Sequence, residues 1–142
     1  MSSKTIHSIG VIMNGVTGRM GLNQHLRRSI HALMQQGGLR ISDTETIMPR
    51  PLLVGRNAVK LESISREFGG IPWTTRLEEA LADPEYSIYF DSQTTDRRVE
   101  AVSAAIAAGK HIYCEKPIAD KTEIALDLYR QAVAAGVKHG VV

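Results

Sequence analysis

Apolar segments alternate with glycine- and proline-containing breaks along the whole chain. The short apolar runs have the length and composition of buried strands, and the longer segments between them repeat apolar residues every three or four positions, as helices do. Strands that alternate with helices predict an α/β fold. We expect a doubly wound parallel sheet with helices on both faces and the strand order 3-2-1-4-5-6. The predicted strands are residues 6–14, 52–54, 71–75, 86–91, 112–114 and 137–142.

Helices are predicted between these strands. The first follows a glycine-rich turn and ends near the glycine pair 37–38, since glycines are a typical helix stop. Asp96 is expected to cap the fourth helix, and Asp120 or Thr122 to open the last, which ends at Gly136.

The segment 39–51 does not fit this alternation as well. It is polar and contains two prolines, so we expect an irregular insertion there. The proline within 71–75 is compatible with an edge strand.

The turn after the first strand is rich in glycine. Gly15, Gly18 and Gly21 form G-x-x-G-x-x-G between a strand and a helix. In a dinucleotide-binding fold such a turn lets the backbone approach the pyrophosphate, and the free N–H groups of the helix N-terminus face the phosphates. The spacing is a relative of G-x-G-x-x-G and is informative only in this strand–turn–helix context. The expected cofactor contacts are Gly15, Val16, Thr17, Gly18, Arg19 and Met20.

A second motif occupies residues 111–117, His-Ile-Tyr-Cys-Glu-Lys-Pro. Here a short apolar strand breaks into an acid, a base and a proline. Proline disfavours the α conformation of the residue before it, so Lys116 is expected to stay extended. Ligands of open α/β sheets bind beyond the carboxyl ends of the strands, which makes Glu115 and Lys116 candidate site residues. The alternative is a surface turn with a solvated lysine.

Together the two motifs resemble the N-terminal domain of the glucose-fructose oxidoreductase / inositol dehydrogenase (Gfo/Idh/MocA) family. The resemblance rests on the glycine turn 15–21 and on the run 107–119, Ala-Ala-Gly-Lys-His-Ile-Tyr-Cys-Glu-Lys-Pro-Ile-Ala. Residues 18–21, Gly-Arg-Met-Gly, also resemble dihydrodipicolinate reductases, which lack Cys-Glu-Lys-Pro and rank second. The resemblance implies that residues 1–142 form a Rossmann domain that binds NADP or NAD.

The resemblance covers essentially the whole chain but only the first part of a typical family member. It implies a fragment of a longer two-domain chain, without the C-terminal α+β domain that usually binds substrate and mediates homo-oligomers. The chain ends on an apolar strand with no closing helix, which agrees with this interpretation. Catalysis is then expected only in the full-length protein.

The activity that the resemblance implies is oxidoreduction of a small hydroxylated substrate, such as a sugar or polyol. Oxidation of an alcohol needs a hydride acceptor and a base for the hydroxyl proton, and a lysine in a closed pocket can act as that base. Family members are thought to use the lysine of this motif to hold the substrate hydroxyl, so Lys116 is the expected catalytic residue. Glu115 is expected to contact the nicotinamide ribose or to orient Lys116, with a surface carboxylate as the alternative.

The choice between NADP and NAD depends on the end of the second strand. If that strand is 52–54, it ends in Gly-Arg-Asn without a carboxylate. Arg56, with Asn57 beside it, would then suit a ribose 2′-phosphate, which favours NADP. In a rival register 39–42 is the strand and Asp43 binds the ribose hydroxyl of NAD. The more apolar 52–54 is preferred as a central parallel strand.

The segment 92–98, Ser-Gln-Thr-Thr-Asp-Arg-Arg, departs from the family, which usually has Thr-Pro-Asn here and a histidine further on. Arg98 falls where that histidine is expected. Ser92, Gln93 and Thr94 still offer hydroxyls and an amide, so they are expected to contact the cofactor without reproducing the family's detailed contacts.

Composition narrows the possible partners. A formal net charge of +2 without a block of like charge does not suggest nucleic-acid binding. The single cysteine, Cys114, excludes an intrachain disulfide and fits a reducing cytoplasm. It is expected to be a buried strand residue and not a nucleophile. No segment resembles a signal peptide or a membrane span, so we expect a cytoplasmic protein.

The histidines show no metal-ligand spacing with one another or with the cysteine, so no metal site is expected. His25 and His31 lie on the first predicted helix, where structural or solvated roles are expected. A rival function is a non-catalytic sensor that keeps the nucleotide fold. Loss of the motif lysine often marks such relatives, and the presence of Lys116 favours an enzyme.

Overall fold

A computed structural model describes residues 4–142, and within that range seven strands form one sheet. Their order is β2-β3-β1-β5-β6-β7, with β4 also paired to β3. All pairings are parallel except that of β2 with β3. Without β2, the order is the predicted 3-2-1-4-5-6. The strands are β1 Thr5–Asn14, β2 Leu39–Arg40, β3 Glu45–Val54, β4 Trp73–Thr74, β5 Tyr86–Asp91, β6 His111–Cys114 and β7 His139–Val141.

Helices cover both faces of the sheet, as predicted. They are a π-helix Met20–Ile30, α1 His31–Gln35, α2 Ala58–Glu67, α3 Leu77–Ala82, α4 Thr95–Ala107 and α5 Thr122–Ala135. Side chains alternate along β1, so Ile12 packs with α3, α4 and α5 on one face, whereas Val11 and Met13 pack with the π-helix and α2 on the other. Burial on both faces explains why the central strands are continuously apolar.

The expected irregular insertion at 39–51 is wrong. Leu39–Arg40 turns back antiparallel onto β3, and β3 begins at Glu45, several residues before the predicted 52–54. Every residue of β1 from Thr5 to Asn14 has a register partner on this long strand. Residues 45–48 of β3 are only partly buried and two prolines follow them, so only the buried residues 51–54 have the apolar pattern of a central strand.

The two prolines of β3 are compatible with a strand, because the amide hydrogen that each one lacks would point away from β1. The Leu53 amide donates to the Pro72 carbonyl at 2.9 Å, away from β1. Amides two residues apart point to the same side of a strand, so Pro51 and Pro49 would also point away from β1. Neither proline therefore removes a hydrogen bond from the β1–β3 ladder.

The expected helix starts were partly wrong. α4 begins two residues earlier than an Asp96 cap would place it, with Thr94 at the N-cap position and Asp96 in the first turn. An acidic residue is favourable at either place, because both lie near the positive end of the helix dipole. Thr122 is the first residue of α5, and Gly136 ends that helix in the left-handed conformation with φ 66°. In the described part of the chain, no helix is both long enough and apolar enough to cross a bilayer.

Lys110, which follows Gly109 in the motif run 107–119, has a structural role. Lys110 is 6% exposed, and its ammonium group donates to the carbonyls of Asp83 at 2.8 Å and Tyr86 at 2.6 Å. It therefore links the start of β6 to the segment between α3 and β5, at the end of the sheet opposite the glycine turn.

Replacing this lysine tests that role. Lys110→Met should lower the free energy of unfolding by about 1–3 kcal/mol, because two carbonyls lose a charged donor. The exposed Lys138→Met is the matched control and should change little. Urea denaturation measures both. Equal midpoints for Lys110→Met and the wild type would contradict the structural role.

Candidate active site

The carboxyl ends of four parallel strands lie side by side. Asn14 at the end of β1 pairs with Val54 of β3 and with Asp91 of β5, and Asp91 in turn pairs with Cys114 of β6. The glycine turn follows Asn14, and Glu115 follows Cys114. Both motifs predicted from the sequence therefore lie at one edge of the sheet.

The glycine turn packs directly on the loop after β5. Gly15 has φ +83°, and a Cβ there would lie 2.6 Å from the backbone nitrogen of Gln93. A Cβ at Gly21 would lie 2.7 Å from the Gly15 carbonyl oxygen and 2.9 Å from the Cα of Val16. Both positions require glycine for steric reasons. A Cβ at Gly18 would meet only the Gly15 carbonyl oxygen, at an ordinary contact distance of 3.4 Å, and Gly18 is exposed.

Between the turn and this loop runs a groove of about 200 Å³. Seven residues predicted to contact the cofactor line it: Gly15, Thr17, Gly18, Arg56, Ser92, Gln93 and Thr94. Three residues that were not predicted to contact the cofactor also line it: Asn14, Gly55 and Arg97.

The other predicted cofactor residues have different surroundings. Val16 is fully buried in the core and does not line the groove. Arg19 and Met20 are exposed at the start of the π-helix. The Asn57 side chain caps α2 by accepting from the Lys60 amide at 3.0 Å. Asn57 still lines a neighbouring open cavity with Arg56 and Lys60.

The rival assignment of Asp43 as a ribose ligand is wrong. Asp43 lies in the turn between β2 and β3, and its side chain pairs with Arg40. The adjacent residues Thr44 and Thr5 are hydrogen-bonded at the start of β1. The glycine turn is at the other end of that ten-residue strand, about 30 Å away.

A buried polar network lies beneath the groove. Asp91 is fully buried, and its carboxylate accepts from the Tyr89 hydroxyl at 2.6 Å and from the Arg98 Nε at 3.1 Å. It also accepts from the Gln93 backbone and side-chain amides at 2.9 and 2.8 Å. Asn14 donates to the Tyr89 hydroxyl at 3.0 Å. Burial and then the neighbouring carboxylate raise the pKa of Tyr89, so the phenol stays protonated and donates to Asp91.

Arg98 connects this network to both loops of the site. It is 2% exposed, and besides Asp91 it donates to the carbonyl of Gln93 at 2.5 Å and to the carbonyl of Pro117. The position where the family resemblance led us to expect a histidine thus holds a buried guanidinium with three partners.

Glu115 turns towards the glycine-turn helix. Its carboxylate lies 2.5 Å from the Nε2 of His25, and the two side chains are only 8% and 15% exposed. The His25 ring also packs against Phe90, with 4.4 Å between ring centroids. The hydrogen bond from His25 lowers the pKa of Glu115 below its usual value. Of the structural or solvated roles expected for His25, the structural one is therefore confirmed.

Lys116 follows Glu115 and is exposed. No helix begins between Lys116 and Thr122, the first residue of α5. Cys114 is fully buried, and burial raises the pKa of its thiol to about 11. A protonated buried thiol is a poor nucleophile, in agreement with the predicted structural role.

Several residues of the site were not found from the sequence. A signal existed for Asn14 and Asp91, since each is a polar residue that closes an apolar strand. Nothing local identified His25, because 90 residues separate it from Glu115.

The residues of the groove fit a dinucleotide. Thr17 and Thr94 contribute hydroxyls, and Arg56 and Arg97 contribute guanidinium groups suited to phosphates. The backbone at Gly18 is uncovered by side chains, so a pyrophosphate can approach it. Among the described residues, no group of three histidine, cysteine or acidic side chains is placed to hold a metal ion.

Comparisons with known proteins agree with this fit. A family model described as an oxidoreductase family with an NAD-binding Rossmann fold matches residues 10–142. D-xylose dehydrogenase of Paenarthrobacter nicotinovorans is 41% identical over 94% of this chain and 34% of its own. 1,5-anhydro-D-fructose reductase of Ensifer adhaerens is 36% identical over 61% of this chain and 28% of its own.

Among solved structures, a levoglucosan dehydrogenase in complex with NADH and levoglucosan has a TM-score of 0.75. It is 25% identical, and the match covers 96% of this chain and 35% of that one. The chain thus spans about a third of the length of these relatives.

The contact between His25 and Glu115 predicts a pH dependence of stability. Because the pKa of Glu115 is lowered in the folded state, its contribution is present above the ordinary glutamate pKa of about 4.3 and is lost as the pH falls through the folded value. Glu115→Gln should be less stable than the wild type at pH 7, and the difference should narrow below about pH 4.3. Urea denaturation across this range measures the difference, with the exposed Glu100→Gln in the middle of α4 as control. A difference that does not change with pH would contradict the prediction.

Proposed function

Because the chain belongs to the Gfo/Idh/MocA oxidoreductase family with an NAD-binding Rossmann fold, we propose that it is the cofactor-binding part of a sugar or polyol dehydrogenase. The observation that carries this proposal is the shared edge of the sheet, where the groove beside the glycine turn and the loop with Lys116 lie on neighbouring strands. A hydride donor and a proton-transfer group have to meet in one place for this reaction.

We further propose that residues 1–142 are the nucleotide-binding domain of a longer two-domain chain. The relatives are about three times as long, since the chain covers 34% and 28% of them. The rest of the protein would close the substrate pocket and form the contacts of a homo-oligomer. The buried, reduced Cys114 supports a cytoplasmic location.

The roles of the site residues follow from their positions. The groove residues Thr17, Ser92 and Thr94 would hold the nicotinamide nucleotide, which accepts or supplies the hydride when bound. Lys116 would hold the substrate hydroxyl and take its proton in oxidation, or return a proton to the carbonyl oxygen in reduction. Glu115, held by His25, would keep the Lys116 loop in place next to the groove.

NADP is the proposed preferred cofactor. The end of β3 leads into Gly55, Arg56 and Asn57, and no carboxylate stands there to accept hydrogen bonds from a ribose 2′-hydroxyl. Arg56 is exposed and shares a cavity with Lys60 at the start of α2. Two positive side chains and a helix N-terminus suit a 2′-phosphate.

Calorimetric titration tests the cofactor assignment. Arg56→Asp should weaken NADPH binding about 10–100-fold, the effect of losing a hydrogen bond to a charged group, and should change NADH binding much less. Arg40→Asp, far from the groove in β2, is the matched control. Equal affinities for NADPH and NADH, before and after the change at Arg56, would refute the preference.

Turnover tests the role of Lys116. In the full-length protein, Lys116→Ala should lower turnover of a sugar or polyol by roughly 10²–10⁴-fold, the usual range for a lost acid–base group, and leave nucleotide affinity nearly unchanged. The exposed Lys121→Ala serves as control. The 142-residue chain alone should bind nucleotide without turning over substrate. Full activity of Lys116→Ala would remove this residue from the mechanism.

A further inference from the structure

Arg98 has a pattern of contacts that its ion pair with Asp91 does not require. A lysine would neutralise that carboxylate with one nitrogen. The guanidinium instead uses all three of its nitrogens in three directions, towards Asp91, the Gln93 carbonyl and the Pro117 carbonyl. All of this occurs at 2% exposure.

The two carbonyls belong to the two loops that form the proposed site. Gln93 is in the loop after β5 that lines the nucleotide groove. Pro117 follows Lys116 in the loop after β6. Since β5 and β6 are adjacent parallel strands, the two loops are neighbours, and the Arg98 side chain bridges them.

The network beneath fixes Arg98 in turn. Asp91 is itself held by Tyr89 and Gln93. Its backbone carbonyl also accepts from the Glu115 amide at 2.9 Å. The guanidinium is therefore anchored to the strand from which the first loop starts and to which the second loop is hydrogen-bonded.

We infer that Arg98 is a positioning residue, which sets where Lys116 stands relative to the Ser92–Thr94 side of the groove. This inference rests on the proposed function. A purely stabilising role explains the contacts less well, because a buried ion pair is often no more stabilising than apolar packing of the same volume. Arginine spreads its donors over three nitrogens in one fixed plane, whereas the three donors of a lysine share a single nitrogen and cannot reach the same three acceptors.

Arg98→Lys separates positioning from charge. The lysine keeps a positive charge next to Asp91 but cannot hold both loop carbonyls in the same geometry. The matched control is Arg130→Lys on the exposed side of α5. Both variants are made in the full-length protein, and urea denaturation verifies that each is folded.

Two readouts test the inference. In nucleotide-free protein, hydrogen exchange of the Gln93 and Glu115 amides should become faster in Arg98→Lys, while exchange in β1 and α4 stays as in the wild type. Turnover should fall by roughly 10–100-fold, as expected for a misplaced catalytic group, with a smaller change in KM and nearly unchanged NADPH affinity. Arg130→Lys should change neither readout.

The inference is overturned if both amides exchange as in the wild type, or if exchange rises equally throughout α4, which would indicate a general structural role. It is also overturned if turnover of a folded Arg98→Lys matches the wild type. Failure of the wild type to bind a nicotinamide nucleotide, or to oxidise any sugar or polyol, would refute the proposed function instead. The exchange readout would still decide whether Arg98 couples the two loops.

Discussion

The hydrogen bonds to the buried Asp91 carboxylate are the interactions on which the candidate site depends. A carboxylate without solvent is tolerated only when its oxygens are paired, and here Tyr89, Gln93 and Arg98 supply the donors. Each donor comes from a different part of the site: the strand itself, the groove loop and α4. Satisfying one buried charge therefore fixes the groove loop at Gln93 relative to the loop that carries Lys116.

Steric constraints shape the groove above that network. Gly15 and Gly21 leave no room for side chains, because backbone atoms of the β5 loop and of the turn itself lie where a Cβ would be. The close approach brings the glycine turn and the Ser92–Thr94 loop onto the two sides of a narrow groove. A side chain at Gly15 would displace the loop after β5, and a side chain at Gly21 would displace the turn itself.

The loop that carries Lys116 is held by contacts from both faces of the sheet. His25 reaches across from the π-helix to Glu115, so the helix that follows the glycine turn also contacts the loop of Lys116. Arg98 contacts the same loop from the opposite face of the sheet through Pro117. The Lys116 loop is thus held by a helix on each side, although Lys116 itself is exposed.

The sequence by itself determined the alternation of strands and helices and the positions of both motifs, because these depend on local spacing and on apolar residues that must be buried. The strand order followed from that alternation together with the right-handed crossover rule for parallel strands. The sequence did not identify the first half of β3, where partial burial and two prolines leave no strand pattern. Only the tertiary structure decided that Asp43 lies far from the groove and that His25 and Arg98 hold the Lys116 loop. Those contacts join residues up to 90 positions apart, and they arise from sheet register and helix packing, which no local pattern encodes.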